Sequence, residues 1–196
     1  LPKAGSATRV DIVTYGSLAR SLDAYAAGLV RRGLQRGDRV LLLMPLSADL
    51  FALALAVFAL GATVVFLDGS LSPRRVAHAL RIAQPRVVVS TRRALSLWPL
   101  ARPLWRAERF ACDGRSLGVE PLAALPVERG DPGPLPDVAD DELALLSFTS
   151  GTSGKPKGVP RSHGILRGQH FGLEEEMPSQ PGDVHLTFFP ATTLHN

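Results

Sequence analysis

RVLLLMPLSADLFALALAVFALGATVVFL, residues 39–67, decides how this chain folds. Arg39 to Met44 is a continuous apolar run of the kind found in parallel strands covered on both faces, and Pro45 stops it. Leu50 to Leu67 then gives 18 residues without a charge, the minimum length for a membrane-spanning helix. The run is not uniform, however. Ser47 is placed to cap a helix, with Asp49 favourable in its first turn. Leu50 to Leu60 reads as a helix that is apolar all round, and Gly61 stands where a helix stops. Thr63-Val64-Val65-Phe66 is β-branched and aromatic, which suits a buried strand, and Asp68-Gly69 closes it with a turn. Strand, helix and strand explain the whole run without a bilayer.

The same alternation extends on both sides. Tyr15 to Arg32 places Leu18, Leu22, Tyr25, Ala26, Leu29 and Val30 on one helical face, ended by Gly33 and the turn Arg36-Gly37-Asp38. A second amphipathic helix is expected over 73–83, with Ser72 as cap and Pro73 in the first position. Arg86 to Ser90 reads as a third strand. The fold class is therefore α/β, a doubly wound unit of parallel βαβ elements with right-handed crossovers. Residues 113–139 hold Pro121, Pro126, Pro132, Pro134 and Pro136 with few apolar positions. They are expected to form a surface connection with little regular structure, joining two parts of a larger body. Three portions follow: a βαβ portion at 1–112, the connection at 113–139, and 140–196, which opens with a buried strand at Leu143–Phe148. No internal repeat is present.

Charge excludes one class of partner. The 196 residues carry 22 Lys and Arg against 18 Asp and Glu, for a formal net charge of +4. Nineteen of the basic residues are arginines scattered along the chain, paired at most as Arg31-Arg32, Arg74-Arg75 and Arg92-Arg93. A phosphate-tracking surface needs clustered charge, so nucleic-acid binding is disfavoured. The single cysteine, Cys112, excludes an internal disulfide and a thiolate zinc site, and fits a reducing, cytoplasmic setting. The five histidines (His78, His163, His170, His185 and His195) have no metal-ligand spacing. The opening Leu-Pro-Lys shows no signal-peptide pattern, and the absent Met points to a natural start further upstream.

The chemistry gathers after the strand at 143–148. Thr149-Ser150-Gly151-Thr152-Ser153-Gly154-Lys155-Pro156-Lys157-Gly158 combines four hydroxyls, three glycines and two of the chain's three lysines. Glycines let backbone N–H groups converge on an anion, hydroxyls add donors, and ammonium groups supply the charge that phosphates need. A flexible polar hairpin with solvated lysines is the alternative. Position directly after a buried strand, and lysine in an arginine-using chain, favour the anion site. It is neither GxxxxGK[ST], since Pro156 stands where glycine is required, nor a GxGxxG dinucleotide turn. Proline disfavours direct entry into a helix, so a mobile hairpin is expected.

Phe148 to Val159 (FTSGTSGKPKGV) closely resembles the phosphate-binding loop of the adenylate-forming superfamily, which reads TSGTTGxPKGV. This superfamily includes acyl-CoA synthetases, peptide-synthetase adenylation domains and firefly-type luciferases. Ser153 in place of Thr is the only departure and keeps a hydroxyl. His163 falls where the family often has histidine. The segments TYGSLARSLDAYAAGLVRRGLQRGDRVLLLMP and GATVVFLDGSLS are similar to it as well. RSHGIL and the ending LHN are most similar to fatty-acyl ligases and olefin β-lactone synthetases.

The resemblance implies part of a large N-terminal adenylating domain that activates a carboxylic acid, in this branch a fatty acid. The carboxylate attacks the α-phosphate of ATP·Mg²⁺, giving an acyl-adenylate and pyrophosphate, and a CoA thiol takes the acyl group. It assigns Thr149, Ser150, Gly151, Thr152, Ser153, Gly154 and Lys157 to phosphate contact, with Lys155 facing solvent or acting from further out. His195 in FFPATTLHN lies near a Pro-x-x-His motif of the family, although five residues from Pro190 rather than three. It is read either as lining the substrate pocket or as a turn residue. His163 is expected to pack beside the loop rather than act as a base, Cys112 to fill the core, and Glu174-Glu175-Glu176 to end a solvated helix. No catalytic residue and no metal ligand is assigned. The family's adenine, ribose and Mg²⁺ contacts and its mobile lysine belong after this region, so the chain is expected to be an N-terminal piece, inactive alone, of an AMP-forming acid–thiol ligase. The alternatives are a β-lactone synthetase acting without CoA and a non-catalytic nucleotide-binding scaffold.

Overall fold

Helix α1 (Tyr15–Arg31) begins at Thr14, whose hydroxyl accepts the Ser17 N–H while the Ser17 hydroxyl returns the bond to the Thr14 backbone. It leads into β1 (Arg39–Leu43), α2 (Ala48–Ala59) and β2 (Thr63–Phe66), so the 39–67 stretch folds as strand, helix, strand. Ser47 caps α2 through the Leu50 N–H at 3.2 Å. The computed structural model describes residues 12–67, 71–97, 104–115, 118–127, 130–149, 156–178 and 180–184. Among them no helix is long and apolar enough to cross a membrane. The chain continues with α3 (Pro73–Ala83), β3 (Val87–Ser90), the single turn α4 (Arg92–Leu95) and β4 (Glu108–Ala111). Pro73 opens α3 as read, but Ser72 makes no side-chain cap bond. β5 (Glu120–Pro121), β6 (Leu143–Thr149), β7 (Lys157–Ser162) and α5 (His163–Glu176) complete it.

All seven strands form one sheet in the order β5-β4-β3-β1-β2-β6-β7, parallel except for the last pair. The chain moves from β1 to β2 with α2 on one face, then reverses direction to β3 with α3 on the other. Reversing both keeps one crossover hand, which is what doubly wound means. Strand residues alternate accordingly. Val40, Leu42, Val64, Val87 and Val89 join α1 and α2 in one core, whereas Leu41, Val65 and Val88 join α3 in a second. Leu53 and Val57, both fully buried, each contribute about 1.5–3 kcal/mol of transfer free energy. Among the described residues the buried serine and threonine hydroxyls are all bonded, Thr63 to the Leu143 carbonyl, Ser90 to the Leu43 carbonyl and Ser147 to Arg161.

The connection at 113–139 differs from the expectation of a surface run. Leu122 and Leu125 are buried in the α1/α2 core, a 3₁₀ turn forms at Leu122–Ala124, and β5 extends the sheet. The segment lies so close to α1 that a Cβ on Gly28 would stand 1.9 Å from the Leu125 carbonyl oxygen. Arg32, at the end of α1, ties this edge by bonding both Glu108 and Glu120 while lying 5.3 Å over the Phe110 ring. Prolines and sparse apolar residues hid the packing, because a few widely spaced positions such as Val119, Leu122 and Leu125 carry it among the described residues.

Candidate functional site

Strand β6 runs parallel to β2, with Ser147 opposite Phe66, so the segment after Thr149 leaves at the carboxyl ends of the parallel strands. Open α/β sheets bind ligands at that edge. β7 then returns antiparallel beside β6, and Thr149 pairs with Lys157. The hairpin reading is thus correct for the two arms. Of the expected phosphate-contact residues, Thr149 and Lys157 are described, both exposed and facing each other across the mouth. Ser150, Gly151, Thr152, Ser153, Gly154 and Lys155 lie outside the described residues, and so does His195. Pro156, immediately before Lys157, is buried.

Alternation places Leu145, Ser147 and Thr149 on one face of β6, with Arg161, Val159 and Lys157 opposite them on β7. The Arg161 guanidinium donates to the Ser147 hydroxyl at 3.0 Å, diagonally toward the mouth. On the other face, a Cβ at Gly158 would stand 3.2 Å from Leu146 Cδ1 and 3.7 Å from Ile82 Cγ2 of α3, so glycine lets β7 lie close to both. β7 also holds Pro160, opposite Leu146. Proline suits a strand paired on one side only, as β7 is among the described residues.

At the far end of β7, Ser162 caps α5 through the Ile165 N–H at 3.3 Å. The Glu142 carbonyl accepts the His163 N–H at 3.0 Å and the Asp140 carbonyl accepts the Gly164 N–H at 2.9 Å. The His163 ring meets Phe58 edge-on, with centroids 5.9 Å apart. Burial pushes its pKa below the ordinary histidine value, opposed by Glu142, so the ring is neutral at neutral pH. His163 packs, as expected, and from Lys157 to Ser162 the strand covers about 17 Å, which separates His163 from the Lys157 end of β7. The loop residues it was expected to pack beside lie outside the described residues.

Cys112 is half-buried after β4, and burial followed by the nearby Asp113 charge pushes its thiol up, the opposite of what a nucleophile needs. Glu174, Glu175 and Glu176 form the exposed last turn of α5, as read. His78 lies 3.2 Å from Arg81 and His170 lies 3.2 Å from Glu174, both at the surface of their own helices. Among the described residues no three His, Cys, Asp or Glu side chains converge as a metal site. The sequence reading passed over Arg161 and Ser147. Its one available signal was a serine inside the apolar strand LALLSF, two residues before the loop.

The AMP-binding enzyme family matches over residues 6–193, and the chain belongs to it. The mostly parallel seven-stranded α/β fold is the one shared by its structural neighbours among the adenylate-forming enzymes. A Rhodopseudomonas palustris structure assigned as a long-chain-fatty-acid CoA ligase superposes with a TM-score of 0.81 over 91% of this chain and 45% of its own, at 24% identity. The ATP-bound form of MatB from the same organism gives 0.77 over 94% of this chain and 36% of its own, at 25% identity. An olefin beta-lactone synthetase of Xanthomonas campestris pv. campestris is 34% identical over 189 residues, 93% of this chain. The chain spans about a third (33%) of that relative's length.

Proposed function

We propose that the protein containing this chain activates a carboxylic acid, of fatty-acyl type, at the expense of ATP. Residues 1–112, 113–139 and 140–196 are portions of one adenylating domain, and the segment 149–157 is its phosphate loop. A carboxylate oxygen forms a bond to the α-phosphorus, the bond to the bridging oxygen breaks, and pyrophosphate leaves with its electron pair. Carboxylate oxygen is a poor leaving group and AMP a good one, so the product reacts readily with a CoA thiol. The observation that carries the reading is the exposed pair Thr149 and Lys157 facing each other at the carboxyl edge of a parallel sheet. An ammonium and a hydroxyl at that mouth screen the β- and γ-phosphates as charge moves onto pyrophosphate. Ser150, Gly151, Thr152, Ser153 and Gly154 complete the contacts, and His195 lines the acyl pocket. Mg²⁺ accompanies ATP in this reading, and no ligand for it is assigned among the described residues. A cytoplasmic location accompanies ATP and CoA as substrates and a single cysteine.

The test is carboxylate-dependent exchange of labelled pyrophosphate into ATP, run on the whole protein with a broad acid panel. Exchange with long-chain acids is expected; no exchange with any acid overturns the reading and leaves a nucleotide-binding scaffold. A second reading rests on the 34% identity to an olefin beta-lactone synthetase. In that case a β-hydroxy acid closes on itself, its hydroxyl displacing AMP, and β-lactone accumulates without CoA.

A further inference from the structure

The geometry points to Arg161 as a positioning residue of the phosphate hairpin, acting through Ser147. This rests on the adenylation reading above and concerns how the hairpin is held rather than what it binds.

Ser147 is 5% exposed and flanked in sequence by Leu146 and Phe148, where an apolar residue would pack without cost. A buried hydroxyl is tolerated only when bonded, and here the guanidinium of Arg161 reaches it at 3.0 Å. Arg161 does not stand opposite Ser147 but opposite Leu145, so the bond crosses the ladder diagonally and leans toward the mouth. The next residue on that face of β6 is Thr149, and its partner on β7 is Lys157. Arg161, Ser147, Thr149 and Lys157 therefore lie on one face of a two-stranded arm. The arm has few other means of staying in register. β7 has no fully buried residue, contains Gly158 and Pro160, and pairs on one side only among the described residues. A register irregularity already lies between Leu143 and Leu145, just behind Arg161. The charged bond stands between that irregularity and the mouth, and keeps Thr149 in register with Lys157 there. A hydrogen bond from a charged donor is worth more than a neutral one, enough to fix two short strand ends.

The test uses the whole protein and follows ATP-dependent pyrophosphate exchange with a saturating acid. Arg161→Leu and Ser147→Ala are each expected to raise KM for ATP about tenfold with kcat within about twofold. Arg161→Lys, which keeps the charge and one donor, is expected to recover part of that loss. Because both single variants remove the same bond, their losses in KM for ATP are expected not to add in the double variant, the mark of a coupled pair. A purely structural role lowers the melting temperature and the amount of active enzyme while leaving KM unchanged. That result, or additive losses in the double variant, overturns the proposal. Absence of exchange in the unaltered protein overturns the adenylation reading instead.

Discussion

In β1, β2 and β3 the inner positions are apolar and sealed from water on both sides of the sheet, and Val40, Val64 and Val89 have no exposed surface at all. In β7 and α5 no residue is fully buried, and Ile165, Phe171 and Leu173 stand half or more exposed. One region owes its shape to burial, which is non-directional and tolerates little added volume. The other is aligned by individual polar bonds: Arg161 to Ser147, the backbone carbonyls of Asp140 and Glu142 to the start of α5, and Arg36 to Glu142. The two regions meet along β6, which is buried toward β2 and carries the candidate site at its end. Changes in the first region are expected to alter stability and leave a folded enzyme's chemistry alone, and changes at the hairpin mouth to do the reverse.

The largest effect is expected at Gly28. Alanine there drives a methyl into the Leu125 backbone, and because a carbonyl cannot rotate away as a side chain does, the cost is about 3 kcal/mol. Denaturant unfolding measures it, and loss of less than about 1 kcal/mol would show the 122–125 segment to be free to retreat. Lys157→Ala probes the opposite pole. Pyrophosphate exchange is expected to fall about a hundredfold, equivalent to roughly 2.7 kcal/mol of transition-state stabilisation, with the melting temperature unchanged. A large fall in stability instead would erase the distinction between the two regions. A smaller effect belongs to the α1/α2 contact. Buried Tyr25 donates to Asp49 at 2.9 Å, and Tyr25→Phe is expected to cost about 1 kcal/mol by the same unfolding measurement, with KM for ATP unaltered.

The smallest is a pH dependence. The folded pKa of His163 lies below its ordinary 6.5, so as pH falls through 6.5 the unfolded chain takes up a proton that the folded one refuses. Stability is therefore full above 6.5, declines down to the lowered folded value, and levels off beneath it. Glu120 and Glu142, whose values are lowered by Arg32 and Arg36, act in the same direction but below their ordinary 4.5. Urea midpoints near pH 7 and pH 5 measure that decline, and His163→Gln is expected to flatten the slope.

What the sequence makes legible follows the same division. β1, α2, β2, α3, β3 and β6 were readable because burial on both sides demands long apolar runs or a strong helical face. β4 was not, since ERFA is four residues with two charges, and β5 is only two residues long. β7 (KGVPRS) contains glycine, proline and two cations and defies any strand pattern, because its pairing partner and not its composition makes it a strand. α5 lacks the buried stripe that periodicity detects. The loop motif was legible for a different reason: anion binding needs glycine, hydroxyl and ammonium groups in a fixed order, and that order survives in the letters. The tie from Arg161 to Ser147 could not be read, because the two residues are 14 apart and meet only through the register of a strand pair.

Pro160 has a consequence for how this protein keeps company with its own copies. In an antiparallel ladder each residue turns its N–H either toward its partner or away from it, and proline must face the ring nitrogen outward to leave the pairing with β6 intact. The outer row of β7 therefore lacks a donor at its midpoint, flanked by the cations Lys157 and Arg161. An incoming strand finds an interrupted template there, so the outer edge of β7, unpaired among the described residues, resists accretion of β structure.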